Sequence, residues 1–206
     1  MLSRTSNAIE RSGVWRFREL VLSATDDEIV SHPEGNTPLV SRDALSRYAG
    51  VNGLLVKHEG HNPTGSFKDR GMTAAVTQAR RIGARAVACA STGNTSASLS
   101  AYAAQAGIPS FVFVPEGRIS AGKLAQTLAY GARTLQIEGD FDACLRRVRQ
   151  VSDRHAAAVL DARPFVVVGD ALELGEVHAV EGVLPSLVAQ AAVRRAVVLD
   201  EPVAVA

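Results

Sequence analysis

The sequence predicts an α/β fold, a mostly parallel sheet with helices packed on both faces. Three observations lead there. Short apolar runs of strand length alternate with longer segments of helical spacing through most of the chain. Such alternation is the signature of parallel strands joined by right-handed helical crossovers. Two loops rich in Ser, Thr, Gly and Asn also stand where an apolar run gives way to a helix, and ligands gather at the carboxyl ends of strands in such folds.

The elements follow in order. A helix is expected from about Arg42 to Tyr48, then a strand at Leu54–His58 leading into a polar turn. Phe67, Met72, Ala75, Val76 and Ala79 space a helix from about Phe67 to Ile82. A strand at Arg85–Cys89 precedes an Ala-rich helix after Asn94, and a strand at Ser110–Val114 precedes a helix from about Ala121 to Tyr130. Arg133–Ile137 forms the last regular strand. Phe141, Cys144, Leu145, Val148 and Val151 then fall three and four residues apart, on one helical face.

Composition removes several function classes. The 206 residues are 47% hydrophobic, enough for a sizeable core, and the net charge of +1 gives no pull towards nucleic acid or a membrane surface. No basic stretch interleaved with aromatics is present, and no apolar run reaches spanning length. The first thirteen residues lack the apolar core of a signal peptide, and Cys89 and Cys144 form no metal-ligand pattern. A cytoplasmic protein with neither nucleic-acid nor membrane partner is the expectation. His58 and His61 flank Glu59 but find no third ligand, so they read as surface histidines and no metal is expected. His32, His155 and His178 stand apart, and no Ser-His-Asp set is assembled.

Two segments carry chemistry. In Asn62-Pro63-Thr64-Gly65-Ser66-Phe67-Lys68-Asp69-Arg70-Gly71, Pro63 and Gly65 mark a turn and Ser66 suits an N-cap. Lys68 thus falls in the first helical turn, facing the positive end of the helix dipole, where a cation is disfavoured. The neutral amine is the form a nucleophile requires. The alternative is a lysine lying along the surface with its head in water. Asp69 and Arg70 read as a helix-start carboxylate and a structural ion pair. In Ala88-Cys89-Ala90-Ser91-Thr92-Gly93-Asn94-Thr95-Ser96, a strand runs through a small polar loop into a helix, which aims unpaired backbone N–H groups at an anion. Ordinary capping explains the same residues and is compatible with binding.

Pro-Thr-Gly-Ser-Phe-Lys-Asp-Arg-Gly resembles the cofactor-lysine motif of pyridoxal phosphate enzymes of the tryptophan synthase β-like type (fold type II), and most of all that of threonine synthases. Glu34-Gly35-Asn36-Thr37-Pro38-Leu39 and Gly13-Val14-Trp15-Arg16-Phe17-Arg18-Glu19 resemble the same enzymes, from about residue 13 to about residue 155. The resemblance implies pyridoxal 5'-phosphate carried on Lys68, with Asn94 bonded to the pyridoxal phenolic oxygen. It places Ser91, Thr92 and Thr95 near the substrate carboxylate. It implies a lyase of threonine biosynthesis that turns O-phosphohomoserine and water into threonine and phosphate, Lys68 moving protons. A β-family serine or threonine dehydratase is the alternative within that class. Dimers are frequent in the family, so a homodimer is compatible with the resemblance. Lys123, in Ser120-Ala121-Gly122-Lys123, sits in a segment that threonine synthases retain, and reads equally as a phosphate contact or a solvated helix lysine.

Residues 1–155 therefore read as the N-terminal part of a catalytic domain, and 156–206 as a divergent tail. About half of that tail is Ala or Val, and it holds no Lys, Asn, Thr, Tyr or Trp. Phe165–Val168 and Val193–Leu199 could pass for strands. The family's further substrate segment, its Gly-rich phosphate loop and the Ser or Thr facing the pyridine nitrogen find no counterpart, and Gly169 and Gly175 do not rebuild the loop. A truncated or frame-shifted catalytic domain with little activity alone is the expectation, against a natural extension. The reading from another class is a non-catalytic domain that binds a ligand or partner.

Overall fold

The computed structural model describes residues 8–117, 121–156, 165–168 and 193–196, with side chains described as far as residue 150. In chain order its elements are the short helices α1 (Ala8–Arg11) and α2 (Arg18–Val21), strand β1 (Leu39–Ser41), α3 (Asp43–Ala49), β2 (Leu55–Lys57) and α4 (Lys68–Arg81). There follow β3 (Val87–Ala90), α5 (Asn94–Ala106), β4 (Ser110–Pro115), α6 (Ala121–Ala129), β5 (Arg133–Ile137), α7 (Phe141–Ala156), β6 (Phe165–Val168) and β7 (Val193–Ala196).

The main sheet has the order β5-β4-β3-β6-β7. β5, β4, β3 and β6 run parallel, and β7 closes the edge antiparallel to β6. The pleat sends alternate side chains to opposite faces. Val87 and Cys89 of β3 join Val112 and Val114 of β4 against Met72, Val76 and Ala79 of α4 and Leu99 and Tyr102 of α5. Ala88 and Ala90 join Phe111 and Phe113 on the other face, against Cys144 and Val148 of α7. Helices on both faces explain why β3 and β4 are buried at every position. The predicted face of α7 is present through Val148, and the side chain of Val151 lies outside those described.

β3, β4 and β5 progress in one direction, and the next strand, β6, returns to the far side of β3. The carboxyl end of β3 is therefore a topological switch point, where parallel sheets open a crevice between diverging crossovers. The Ser91–Gly93 loop leaves the sheet at that place.

Two expectations need correcting. The strand expected at Leu54–His58 exists as β2, but it does not enter the parallel sheet. It pairs antiparallel with β1, Val40 opposite Val56, in a separate two-stranded sheet bridged by α3. The lysine loop accordingly starts from this hairpin-like unit, not from the carboxyl end of a parallel strand. The reason is local: α3 ends at Gly50, whose left-handed φ of 65° reverses the chain and brings β2 back alongside β1.

The N-terminal segment is stapled to α4. Trp15, wholly buried with Val14, Val21 and Ile29, donates its indole N–H to Thr73 Oγ1 at 2.6 Å. Thr73 Oγ1 donates to the Val30 carbonyl at 2.7 Å, and one turn later Thr77 Oγ1 accepts the Val30 N–H at 2.9 Å.

Of the tail runs suspected of being strands, Phe165–Val168 is β6, and Val193–Ala196 of the second is β7, residues 197–199 lying outside the described residues. β6 pairs with β3 through Val87–Val166 and Ala88–Val167, so the sheet continues past residue 155. The remainder of 157–206, including Gly169 and Gly175, lies outside the described residues.

Candidate functional site

The lysine loop is held by two carboxylate networks, one buried around Asp69 and one half-buried around Glu59. Asp69, fully buried, accepts the Thr64 N–H at 2.7 Å and the Thr64 hydroxyl at 2.5 Å. Glu59 accepts Arg70 Nε at 2.8 Å and an Arg70 terminal nitrogen at 2.9 Å, a two-pronged pairing, and also Thr37 Oγ1 at 2.7 Å and Asn62 Nδ2 at 2.9 Å. Arg70 foremost, then Thr37 and Asn62, hold the Glu59 carboxyl down to about 2 against the opposing effect of burial. Arg70 is thus the structural ion pair expected. Asn62 also receives the Gly35 N–H at 2.8 Å, which ties the Glu34–Leu39 segment to the loop.

Lys68 opens α4 as its first residue. The N-cap position falls on Phe67 and not on Ser66 as expected, although Ser66 Oγ, one residue earlier, still accepts the Lys68 N–H at 3.3 Å. The Lys68 ammonium lies 5.2 Å from the centre of the exposed Phe67 ring.

Asn94 opens α5 as its first residue, its side chain exposed. Ser91 and Thr95 are buried, and Thr92 is half-buried. Ser91 Oγ accepts the Gly93 N–H at 3.3 Å, and the Gly93 carbonyl accepts Ser96 Oγ at 2.8 Å and the Ala97 N–H at 3.2 Å. The loop is thereby folded tightly onto the helix start, where the first backbone N–H groups of a helix point out along its axis.

One contact joins the two loops. Ser98 Oγ donates to Asp69 Oδ1 at 2.5 Å, from the second turn of α5 to the first turn of α4. Lys68 and Asn94 therefore head two helices that are cross-linked close to their starts, beside the switch point. A primary amine, small hydroxyls, an exposed carboxamide and a helix start suit a cofactor bearing an aldehyde and a substrate bearing a carboxylate.

Other predicted residues fall outside this arrangement. The His58 and His61 rings meet edge to face at 4.5 Å, and Glu59 between them is committed to Arg70. Among the described residues no set of three or more His, Cys, Asp or Glu could hold a metal ion.

The contacts of three residues escaped sequence reasoning. Asp69 was legible only as a helix-start acid, because Ser98 lies 29 residues away. Glu34 is wholly buried and accepts bonds from the Ser12 and Ser31 hydroxyls, the His32 N–H and the Tyr102 hydroxyl, the last at 2.8 Å. Burial, with Glu34 and Asp69 close by, pushes the Tyr102 phenol far up, keeping it a neutral donor. Lys123 reaches the lysine loop from α6, donating to the Thr64 carbonyl at 3.1 Å.

Comparison with known proteins gives the arrangement its family. A family model described as "Pyridoxal-phosphate dependent enzyme" matches residues 30–175. The chain belongs to that family. The match continues past the resemblance drawn from motifs and takes in β6. Similar curated proteins are threonine synthases. That of Methanocaldococcus jannaschii is 48% identical over 158 residues, 76% of this chain and 39% of its own length. That of Halalkalibacterium halodurans is 42% identical over 174 residues, 84% of this chain and 49% of its own. That of Mycobacterium bovis is 52% identical over 136 residues, 66% and 38% respectively. The chain spans less than half the length of these relatives.

Solved structures show the fold. Diaminopropionate ammonia lyase of Escherichia coli superposes with TM-score 0.55 at 21% identity, covering 68% of this chain and 41% of that one. Serine racemase of maize gives TM-score 0.56 at 20% identity, covering 70% and 42%. The tryptophan synthase β-like fold expected from the motifs is thus the fold of this chain, and the family's cofactor is pyridoxal phosphate.

Proposed function

We propose that this chain forms the amine-bearing part of a threonine synthase-like site, acting on O-phosphohomoserine and water to give threonine and phosphate. The observation that carries the reading is the Asp69–Ser98 bond, which sets the head of the Lys68 helix against the head of the Asn94 helix at the switch point. The similarity to threonine synthases supports the choice of substrate. Lys68 would hold the cofactor through its amine and Asn94 would bond the pyridoxal phenolic oxygen. When bound, pyridoxal phosphate supplies an electron sink for charge developing at the substrate α carbon. Ser91, Thr92, Thr95 and the α5 helix start bind and orient the substrate carboxylate. Lys68, released by the substrate amine, takes a proton from the α carbon and serves the β carbon as phosphate leaves. A dehydratase of the same family is distinguished by product: ammonia appears instead of phosphate.

A cytoplasmic setting belongs to the same proposal, and among the described residues no helix is long and apolar enough to cross a membrane. The exposed apolar side chains of the β1–α3–β2 unit favour a second reading, a non-catalytic domain that binds a partner.

The test is borohydride reduction of the protein with pyridoxal phosphate, followed by peptide mapping. The adduct is expected on Lys68 and absent from Lys68→Ala; an adduct on Lys57 or Lys123 instead overturns the assignment. Phosphate release from O-phosphohomoserine is expected near background for the 206-residue polypeptide assayed by itself. It is expected to rise when the polypeptide is joined to the C-terminal half of a threonine synthase. Strong turnover without that half would place a complete cofactor site within these residues.

A further inference from the structure

Thr64 lies four residues before Lys68, and every polar group it owns is taken. It is 3% exposed. Its N–H and hydroxyl are held by Asp69 from α4, and its carbonyl is held by Lys123 from α6 at 3.1 Å, with Gln126 Nε2 at 3.5 Å. Lys123 Nζ also donates to Gln126 Oε1 at 3.2 Å, so the two α6 side chains act as one unit. A Cβ added to the next residue, Gly65, would stand 4.0 Å from Lys123 Nζ. The ammonium therefore sits over the turn, whose φ of +82° at Gly65 only glycine adopts readily.

The same helix touches the other loop. One turn after Lys123, the buried Thr127 donates its hydroxyl proton to the Lys123 carbonyl at 2.8 Å, and its Oγ1 lies 3.4 Å from Ser96 Oγ in the first turn of α5. One face of α6 thus spans both loops, Lys123 on the side of Lys68 and Thr127 on the side of Asn94.

We propose that Lys123 is a positioning residue: with Asp69 it grips Thr64 from two sides, and so fixes the turn that presents the Lys68 amine. The inference rests on the reading of Lys68 as the amine that takes the cofactor. It differs from both sequence readings of Lys123, since two of the three ammonium protons are directed at protein oxygens, those of Thr64 and Gln126. Deprived of its charged donor, the buried Thr64 carbonyl keeps only the long contact to Gln126, and the turn then relaxes.

The test uses the 206-residue chain with Lys123→Met, which keeps length and removes the donor, and Lys123→Arg, which keeps a charged donor. By hydrogen exchange, amides in the peptide covering residues 64–70 should exchange roughly ten-fold faster in Lys123→Met, the loss of one charge-assisted hydrogen bond. Peptides from β3 and β4 should be unchanged, and Lys123→Arg should restore most of the protection. Unchanged exchange at 64–70 overturns the proposal. If Lys123→Met loosens β3 and β4 as well, Gln126→Ala carries the test: a smaller rise confined to 64–70 supports the clamp, and none overturns it.

A second readout separates positioning from direct contact. Borohydride trapping at Lys68 should slow by a similar factor with pyridoxal and with pyridoxal phosphate in Lys123→Met. A loss confined to the phosphorylated aldehyde would make Lys123 a phosphate ligand and overturn the positioning role. If wild-type Lys68 takes neither aldehyde, the functional reading falls, and the exchange measurement still decides the clamp.

Discussion

The layer built on β3 and β4 and the unit β1–α3–β2 make opposite use of similar residues. In the first, Val, Ala, Cys and Phe are buried at every strand position between helices on both faces. In the second, Leu39, Leu45, Tyr48, Val51 and Leu55 are exposed, α3 buries none of its residues, and β2 is exposed throughout. A two-stranded sheet without cover is marginal by itself. The difference teaches that apolar content forms a strand but does not supply a partner: β3 has α4, α5 and α7, while among the described residues β2 pairs with β1 alone.

The largest expected effect tests the packed side. Leu99→Ala, at a fully buried position between α5 and the sheet, should destabilise by about 2–5 kcal/mol in urea unfolding with an unchanged slope. Next comes the network linking the two regions. Glu59 titrates at about 2 in the folded protein against an ordinary 4.5, so its contribution is complete above pH 4.5 and is lost as pH falls towards 2. Arg70→Met should remove about 1–2 kcal/mol at neutral pH, one flank of the pair being open to water, and flatten the acid limb of the stability curve. Trp15→Phe deletes the indole bond to Thr73 and should lower stability by about 1 kcal/mol, read as a lower thermal midpoint. The smallest effect tests the open side. Tyr48→Ser, at a residue 94% exposed, should change stability by less than about 0.5 kcal/mol. A loss as large as that of Leu99→Ala would break the contrast, because it would require Tyr48 to be packed in solution.

What the sequence revealed divides along the same line. The β3 and β4 runs, the Met72–Ala79 face and the Phe141–Val148 face were legible because pleat and helix periodicity act within one element. The pairing of β2 was not, since a run of three or four apolar residues fits a parallel or an antiparallel neighbour equally. The placement of Lys68 and Asn94 at or near helix starts was legible because turn chemistry couples to the start of a helix. Asp69–Ser98, Lys123–Thr64 and Glu34–Tyr102 were not, because bonds across 29, 59 and 68 residues leave no local pattern.

Cys89 and Cys144 lie on opposite faces of the sheet, both buried and neither in a disulfide. Burial, aided by Asp140, pushes the Cys144 thiol up and slows its reaction with electrophiles. With the sheet between them, the two sulfurs cannot meet in the folded chain, and each becomes reactive only when its own layer opens. A single alkylating reagent read by mass at each site would therefore clock the lifting of α4 and α5 separately from that of α7, with no label added to the protein.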